Sequence, residues 1–145
     1  MRFIKTVFLL LAVCLLFACA SAPTEAPIRS LWRDASWSNT DSALIDTCLN
    51  LPVSYRADRY GALSGRQYPF GAGAGDFHYA TAEAADLYFL YQYTMFSEDG
   101  QKDYTFVFRV DAADALFVEE SYIDGAPMTE AELDDWFEVW RQFDS

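Results

Sequence analysis

LYFLYQYTMF, residues 87–96, opens the stretch that decides the fold of this chain. Two more runs rich in aromatic and β-branched residues follow, YTFVFRV at 104–110 and LFVEESYI at 116–123. They are separated by SEDGQKD at 97–103 and DAAD at 111–114, which carry the Asp and Gly typical of turns. Such runs favour strands and such linkers favour hairpins, so Leu87–Ile123 predicts an antiparallel meander of three strands.

The three predicted strands differ in how their polar residues are placed. The first is apolar on both faces, which is typical of a strand that is covered on both sides or central in its sheet. The third carries Glu119, Glu120 and Ser121, and this polarity predicts an edge strand. Neighbouring strand residues point to opposite faces, so Glu119 and Glu120 are expected on opposite faces unless a bulge intervenes.

Helical patterns flank the meander. Thr129 and Glu132 form a capping box, and a helix is expected from there to about Phe143. Its apolar residues make one stripe suited to packing on a sheet: Leu133, Trp136, Phe137, Trp140 and Phe143. A shorter helix is predicted from Thr40 or Asp41 to about Asn50, with Cys48 as a small buried residue on its apolar face. Short segments at 77–79 and at Leu31, Trp32 and Trp37 are expected to join the sheet or pack on it. The predicted class is α+β: an antiparallel meander of three to five strands packed against a C-terminal amphipathic helix, with a short N-terminal helix.

The chain is acidic, with 22 acids against 10 bases in 145 residues, a formal charge of −12. Removal of Arg2 and Lys5 with a leader would leave a net charge of −14. Residues 19–75 are balanced, so the whole excess lies from Asp76 onward. Such a surface repels phosphates and anionic headgroups, which argues against direct binding to nucleic acid or lipid headgroups.

The N-terminus has the features of an export signal. A basic start is followed by an apolar segment, Thr6–Phe17, that is too short for a membrane span. It ends in Leu16-Phe17-Ala18-Cys19, which resembles the lipobox of bacterial lipoproteins. The resemblance implies cleavage before Cys19, lipidation of Cys19, and an anchor in the outer membrane facing the periplasm. Cleavage after Ala20 by an ordinary secretory route, giving a soluble periplasmic or secreted protein, is the alternative.

The expected organisation is therefore a signal peptide at 1–18, a tether at 19–30 and one α+β domain at 31–145. Within the domain, the irregular stretch Val53–Gly75 combines arginines and tyrosines on an otherwise acidic chain. Loops of this kind often carry binding residues. If one face of the meander is exposed, its tyrosines would add to the candidates for partner contact. The candidates are Tyr55, Arg56, Arg59, Tyr60, Arg66, Tyr68, Tyr88, Tyr91 and Tyr93.

Motifs for catalysis or cofactor binding are weak in this sequence. Gly71–Gly75 lacks the spacing and the preceding strand of a phosphate-binding loop, and zinc would need more Cys and His than the chain offers. His78 is the only histidine, and a Cys48–His78 pair is the one conceivable hydrolase site. We therefore expect no metal, no cofactor and no enzymatic activity. Three hypotheses follow: an accessory protein that binds another envelope protein, an acidic inhibitor or immunity-type protein that binds a basic enzyme, and a hydrolase that uses His78.

Overall fold

The computed structural model describes residues 30–56, 63–64, 75–81, 86–111 and 115–142, without the side chains of residues 63, 64, 140 and 141. The described residues form the predicted α+β class. The helices are α1 (Leu31–Asp34), α2 (Ser42–Asn50) and α3 (Glu130–Gln142). The strands are β1 (Pro52–Ser54), β2 (Leu63–Ser64), β3 (Asp76–Thr81), β4 (Leu87–Ser97), β5 (Gly100–Val110), β6 (Leu116–Ile123) and β7 (Ala126–Pro127).

The sheet is larger than predicted. Its seven strands run in the order β2-β1-β6-β5-β4-β3, with β7 paired to β6. The meander β4-β5-β6 is antiparallel as expected, and β3 adds antiparallel to β4. The prediction of an edge position for β6 was wrong, because β1 pairs with it in parallel at Leu116 and Phe117. Three-residue and two-residue strands such as β1 and β7 are too short to leave a periodic pattern in a sequence.

The hairpin between β4 and β5 is tighter than its linker suggested. The strands continue in register to Ser97 and Gly100, so only Glu98 and Asp99 form the turn. Gly100 has a φ of +117°, a conformation that L-residues with a Cβ rarely adopt. Most of the polar segment 97–103 is therefore strand, and the hairpin reaches further from the body of the sheet than a seven-residue loop would allow.

A β-bulge reorders the faces of β6. Phe108 pairs with Val118 whereas Val107 pairs with Glu120, so Glu119 is the extra residue. Glu119 and Glu120 were expected on opposite faces unless a bulge intervened, and this bulge brings both to one face. Arg109, which shares a face with Val107, lies 3.6 Å from the Glu119 carboxylate, and Glu120 lies directly beside Val107. Tyr122 is moved by the same bulge to this face.

The main core lies under α2 and α3. The capping box is present as predicted: the Thr129 amide donates to Glu132 Oε2 (2.8 Å) and the Glu132 amide donates to Thr129 Oγ1 (3.3 Å). Trp136 and Phe137 are buried, and the Trp136 ring lies 4.2 Å from that of Phe106. Cys48 is buried on α2 as expected, and burial raises its pKa to about 11. Of the predicted stripe, the Trp140 side chain and Phe143 lie outside the described residues.

The opposite face of the sheet is half covered by the segment Ser30–Ser38, which we call the N-terminal strap. Its Leu31, Trp32 and Trp37 pack on Tyr88, Leu90 and Val107, which confirms the expected docking of this segment. Glu120 fixes the strap in place by accepting the amides of Leu31 (2.6 Å) and Trp32 (3.1 Å). Beyond the strap, toward the β4–β5 turn, the same face bears a cleft.

Candidate functional site

The tyrosines of the meander are mostly covered. Tyr88 is 8% exposed under the strap and Tyr91 is 1% exposed in the main core. Tyr93 is half-buried, and its hydroxyl accepts the indole N–H of Trp136 at 2.6 Å. These tyrosines were candidates for partner contact only if one face of the meander is exposed. Tyr88 and Tyr91 are not exposed, because a strap and a helix cover the two faces.

Tyr55 and Arg56 are engaged within the molecule. The Tyr55 hydroxyl donates to Asp134 Oδ1 at 2.8 Å, and its ring stacks on Phe137 at 4.3 Å. Arg56 Nη1 lies 2.9 Å from Asp134 Oδ2, and its guanidinium also pairs with Glu130. These contacts fasten the end of β1 to the first turns of α3, so the structure gives both residues a role in stability.

The other predicted site residues lie outside the described residues: Cys19, Arg59, Tyr60, Arg66 and Tyr68. Their roles remain predictions.

Cys48 and His78 do not meet. Cys48 belongs to the core under α2, on the face that carries Phe89 and Tyr91. His78 pairs in register with Leu90, whose side chain packs under the strap on the opposite face. The conceivable thiol–imidazole pair is therefore not formed. The imidazole Nδ1 is buried without a hydrogen-bond partner in the described part of the chain.

The cleft beyond the strap has a volume of about 740 Å³. Its floor is made by polar cross-strand pairs of β4 and β5, Gln92 with Thr105 and Thr94 with Asp103. Side chains of the strap, of β3 and of the hairpin form its walls. The residues that line it are Trp32, Asp76, Gln92, Tyr93, Thr94, Phe96, Gln101, Asp103, Tyr104, Thr105, Asp124 and Gly125.

Among the described residues, this lining holds three carboxylates and no basic residue. Asp103 accepts from the Thr94 hydroxyl (2.7 Å) and from the Gln101 amide (3.1 Å), and these hydrogen bonds hold its pKa below the usual range. The amide of Asp103 in turn donates to Asp124 Oδ1 at 2.9 Å. Arg33 contacts two of the lining residues: its guanidinium stacks over Trp32 (4.9 Å) and donates to the Gly125 carbonyl. The cleft is therefore polar and negative.

The β4–β5 hairpin rises beside this cleft as a two-stranded arm. The partner strands stop below it, since β3 pairs no further than Gln92 and β6 no further than Tyr104. Residues 94–103, which we call the hairpin arm, are all exposed. Phe96 is 77% exposed on the cleft side, and Met95 is 43% exposed on the helix side. Neither residue was predicted as a site residue, because both lie inside a strand, where apolar residues are usually buried.

Two classes of feature are not found in the part of the chain that the structure describes. No cluster of three or more His, Cys, Asp or Glu side chains is arranged to hold a metal ion there. Over the same residues, no helix has the length and apolarity that crossing a membrane requires.

Comparison of the chain with protein-family models, with curated protein sequences and with solved structures gave no match.

Proposed function

We propose that this protein is a non-enzymatic binding protein of the cell envelope that docks on another envelope protein through the hairpin arm and the acidic cleft. It is anchored through lipid on Cys19 and acts on the periplasmic side of the outer membrane. The observation that carries the proposal is the position of Phe96, 77% exposed at the rim of a cleft lined by carboxylates. The lipobox-like leader supports the proposed location in the cell envelope.

An exposed phenylalanine on a projecting arm is a natural anchor for a partner. Burial of such a side chain contributes about 1.5–3 kcal/mol, and interface energy is concentrated in a few large side chains of this kind. The neighbouring carboxylates Asp76, Asp103 and Asp124 would select a partner with basic residues around the pocket that receives the ring.

The same acidity supports a second candidate, an inhibitor or immunity-type protein that binds a basic enzyme. The two functions differ in the partner and in the response to salt. Association driven by opposite charges weakens as ionic strength rises. An interface centred on Phe96 loses less affinity under the same change.

The test is crosslinking and purification of the lipidated protein from its native envelope at low and high salt, with Phe96→Ser beside it. The matched control is Ala131→Ser, an exposed position on α3. One stoichiometric envelope protein that survives high salt and is lost with Phe96→Ser supports the accessory role. A basic enzyme released by salt supports the inhibitor role. Equal recovery of every partner by wild type and Phe96→Ser would contradict a role of the hairpin arm in either of the two proposed functions.

A further inference from the structure

A second groove lies on the other face of the sheet, between α3 and the hairpin arm. Its volume is about 260 Å³. The floor is formed by residues that pair across three strands, Tyr93 with Tyr104 and Tyr104 with Ile123. Met95 and Lys102, which pair on the arm, form one wall. The other wall belongs to α3.

The wall on α3 is a helical stripe of Glu132, Asp135, Trp136 and Val139. These positions are spaced i, i+3, i+4 and i+7, so they form one continuous surface along the helix. Val139, 52% exposed, lines the groove from α3, and Met95, 43% exposed, lines it from the arm. Two apolar side chains that belong to different elements are thus left open to solvent on either side of one trench.

The trench lies over the end of the sheet beyond α3. Trp136 lies over Phe106, and Lys102 is four strand residues further along β5, about 13 Å at the rise of a strand. An additional helix packed at the usual distance of about 8–10 Å from α3 would lie over this stretch of the sheet, which is open among the described residues. The floor presents side chains rather than a strand edge, which favours a helix over an extended segment as the occupant.

The charges of the rim indicate what that helix carries. Glu132 and Asp135, both exposed on α3, are the acidic residues of the described lining, and Lys102 is its one basic residue. A second copy of this chain would bring a formal charge of −12 to an already acidic rim, so it is a poor occupant.

We propose that this groove binds an amphipathic helix of a partner protein. The helix places a large apolar side chain between Met95 and Val139, and a Lys or Arg against Glu132 and Asp135. The surface is on the opposite face of the sheet from the acidic cleft and does not use Phe96, so the proposal goes beyond the function proposed above and can fail or hold without it.

The test places the photoreactive residue p-benzoylphenylalanine at Val139 of the full-length lipidated protein in its native envelope. The same residue at Ala131, which is exposed but absent from the groove lining, is the control. The crosslinked segment is identified by mass spectrometry and made as a synthetic peptide. Its affinity is then measured for wild type, for Asp135→Lys, and for Asp86→Lys, which makes the same charge change at an exposed site outside the groove.

We expect a crosslink at position 139 and not at 131, to a partner segment that becomes helical on binding and carries Lys or Arg. Asp135→Lys is expected to weaken the peptide at least tenfold, and Asp86→Lys less than threefold. A crosslink to a second copy of this chain, to lipid or to an extended segment would overturn the proposal. So would the absence of any crosslink specific to position 139, or equal loss of affinity in the two charge-reversed variants.

Discussion

The indole N–H of Trp136 donates to the hydroxyl of Tyr93 across 2.6 Å, which joins α3 to β4 at the border of the core. Burial raises the pKa of the Tyr93 phenol, so its hydroxyl stays neutral at physiological pH. Trp136 also contacts Phe106, and Tyr93 stacks on Tyr104 at 4.9 Å. Beyond this pair of rings the sheet continues as the free arm. This hydrogen bond therefore marks the limit of the sheet surface that α3 covers. The groove begins beyond it.

Tyr93→Phe removes the hydroxyl that accepts this bond. We expect it to lower the free energy of unfolding by about 1 kcal/mol, the usual worth of one such hydrogen bond. Tyr104→Phe is the control, because Tyr104 stacks on the same ring and no hydrogen bond of its hydroxyl is seen among the described residues. Urea unfolding should place Tyr104→Phe within about 0.5 kcal/mol of wild type. Equal effects of the two substitutions would show that the bond contributes nothing.

Asp134 holds two residues that the sequence analysis assigned to partner binding. Asp134→Ala removes the acceptor of both the Tyr55 hydroxyl and the Arg56 guanidinium. We expect a loss of about 1–2 kcal/mol in the free energy of unfolding, moderated because the site is partly open to solvent. Asp135→Ala, its exposed neighbour, should stay within about 0.5 kcal/mol of wild type in the same urea series.

The capping box predicts a pH dependence. The amide and hydroxyl of Thr129 donate to the Glu132 carboxylate and lower its pKa below the ordinary 4.5. A carboxyl whose pKa is lower in the folded chain stabilises the fold above its unfolded pKa, and this contribution is lost as pH falls through the folded value. NMR titration of Glu132 should therefore give a pKa below 4.5 in wild type, moving up toward it in Thr129→Val. An unchanged pKa in that variant would show that the Thr129 hydroxyl does not contribute to the lowering, because the variant keeps the donation from the Thr129 amide.

The parts of the fold that were predictable have strong local patterns. The Thr129–Glu132 box, the α2 cap at Asp41 and the aromatic runs of β4 and β5 each determine their own structure through neighbours close in sequence. The parallel pairing of β1 with Leu116 was not predictable, because it joins residues about sixty positions apart through a three-residue strand. The bulge at Glu119 leaves no signature in the sequence, and it reversed the face of Tyr122.

The candidate site was predictable only in its charge. The excess of acids from Asp76 onward predicted the negative charge of the cleft. The exposure of Phe96, in contrast, depends on where the flanking strands β3 and β6 end. Those ends are set by tertiary pairing rather than by local propensity. Conversely, the tyrosines of the meander are covered by the strap and α3, whose docking faces could not be assigned from the chain alone.

Glu120 holds the N-terminal strap, which forms one wall of the cleft. Its carboxylate accepts the amides of Leu31 and Trp32 and the hydroxyls of Ser30 (3.3 Å) and Tyr122 (3.0 Å). The amides of Leu31 and Trp32 belong to the first two residues of the short helix α1 and have no acceptor within it. The Glu120 carboxylate from β6 therefore acts as their cap.

Glu120→Gln keeps the size of the side chain but turns one acceptor into a donor that faces a backbone N–H. We expect a loss of about 1.5–3 kcal/mol in the free energy of unfolding, and red-shifted, more readily quenched tryptophan fluorescence as Trp32 and Trp37 leave Tyr88 and Leu90. Glu119→Gln is the matched control, since its carboxylate meets only Arg109 at 3.6 Å in the described structure and should change stability by less than about 1 kcal/mol. Because Trp32 of the strap lines the cleft, Glu120→Gln should also weaken partner capture through the cleft, while the groove beside Val139 keeps its crosslink. Identical fluorescence and stability in the two variants would mean that the strap is held by its apolar contacts alone.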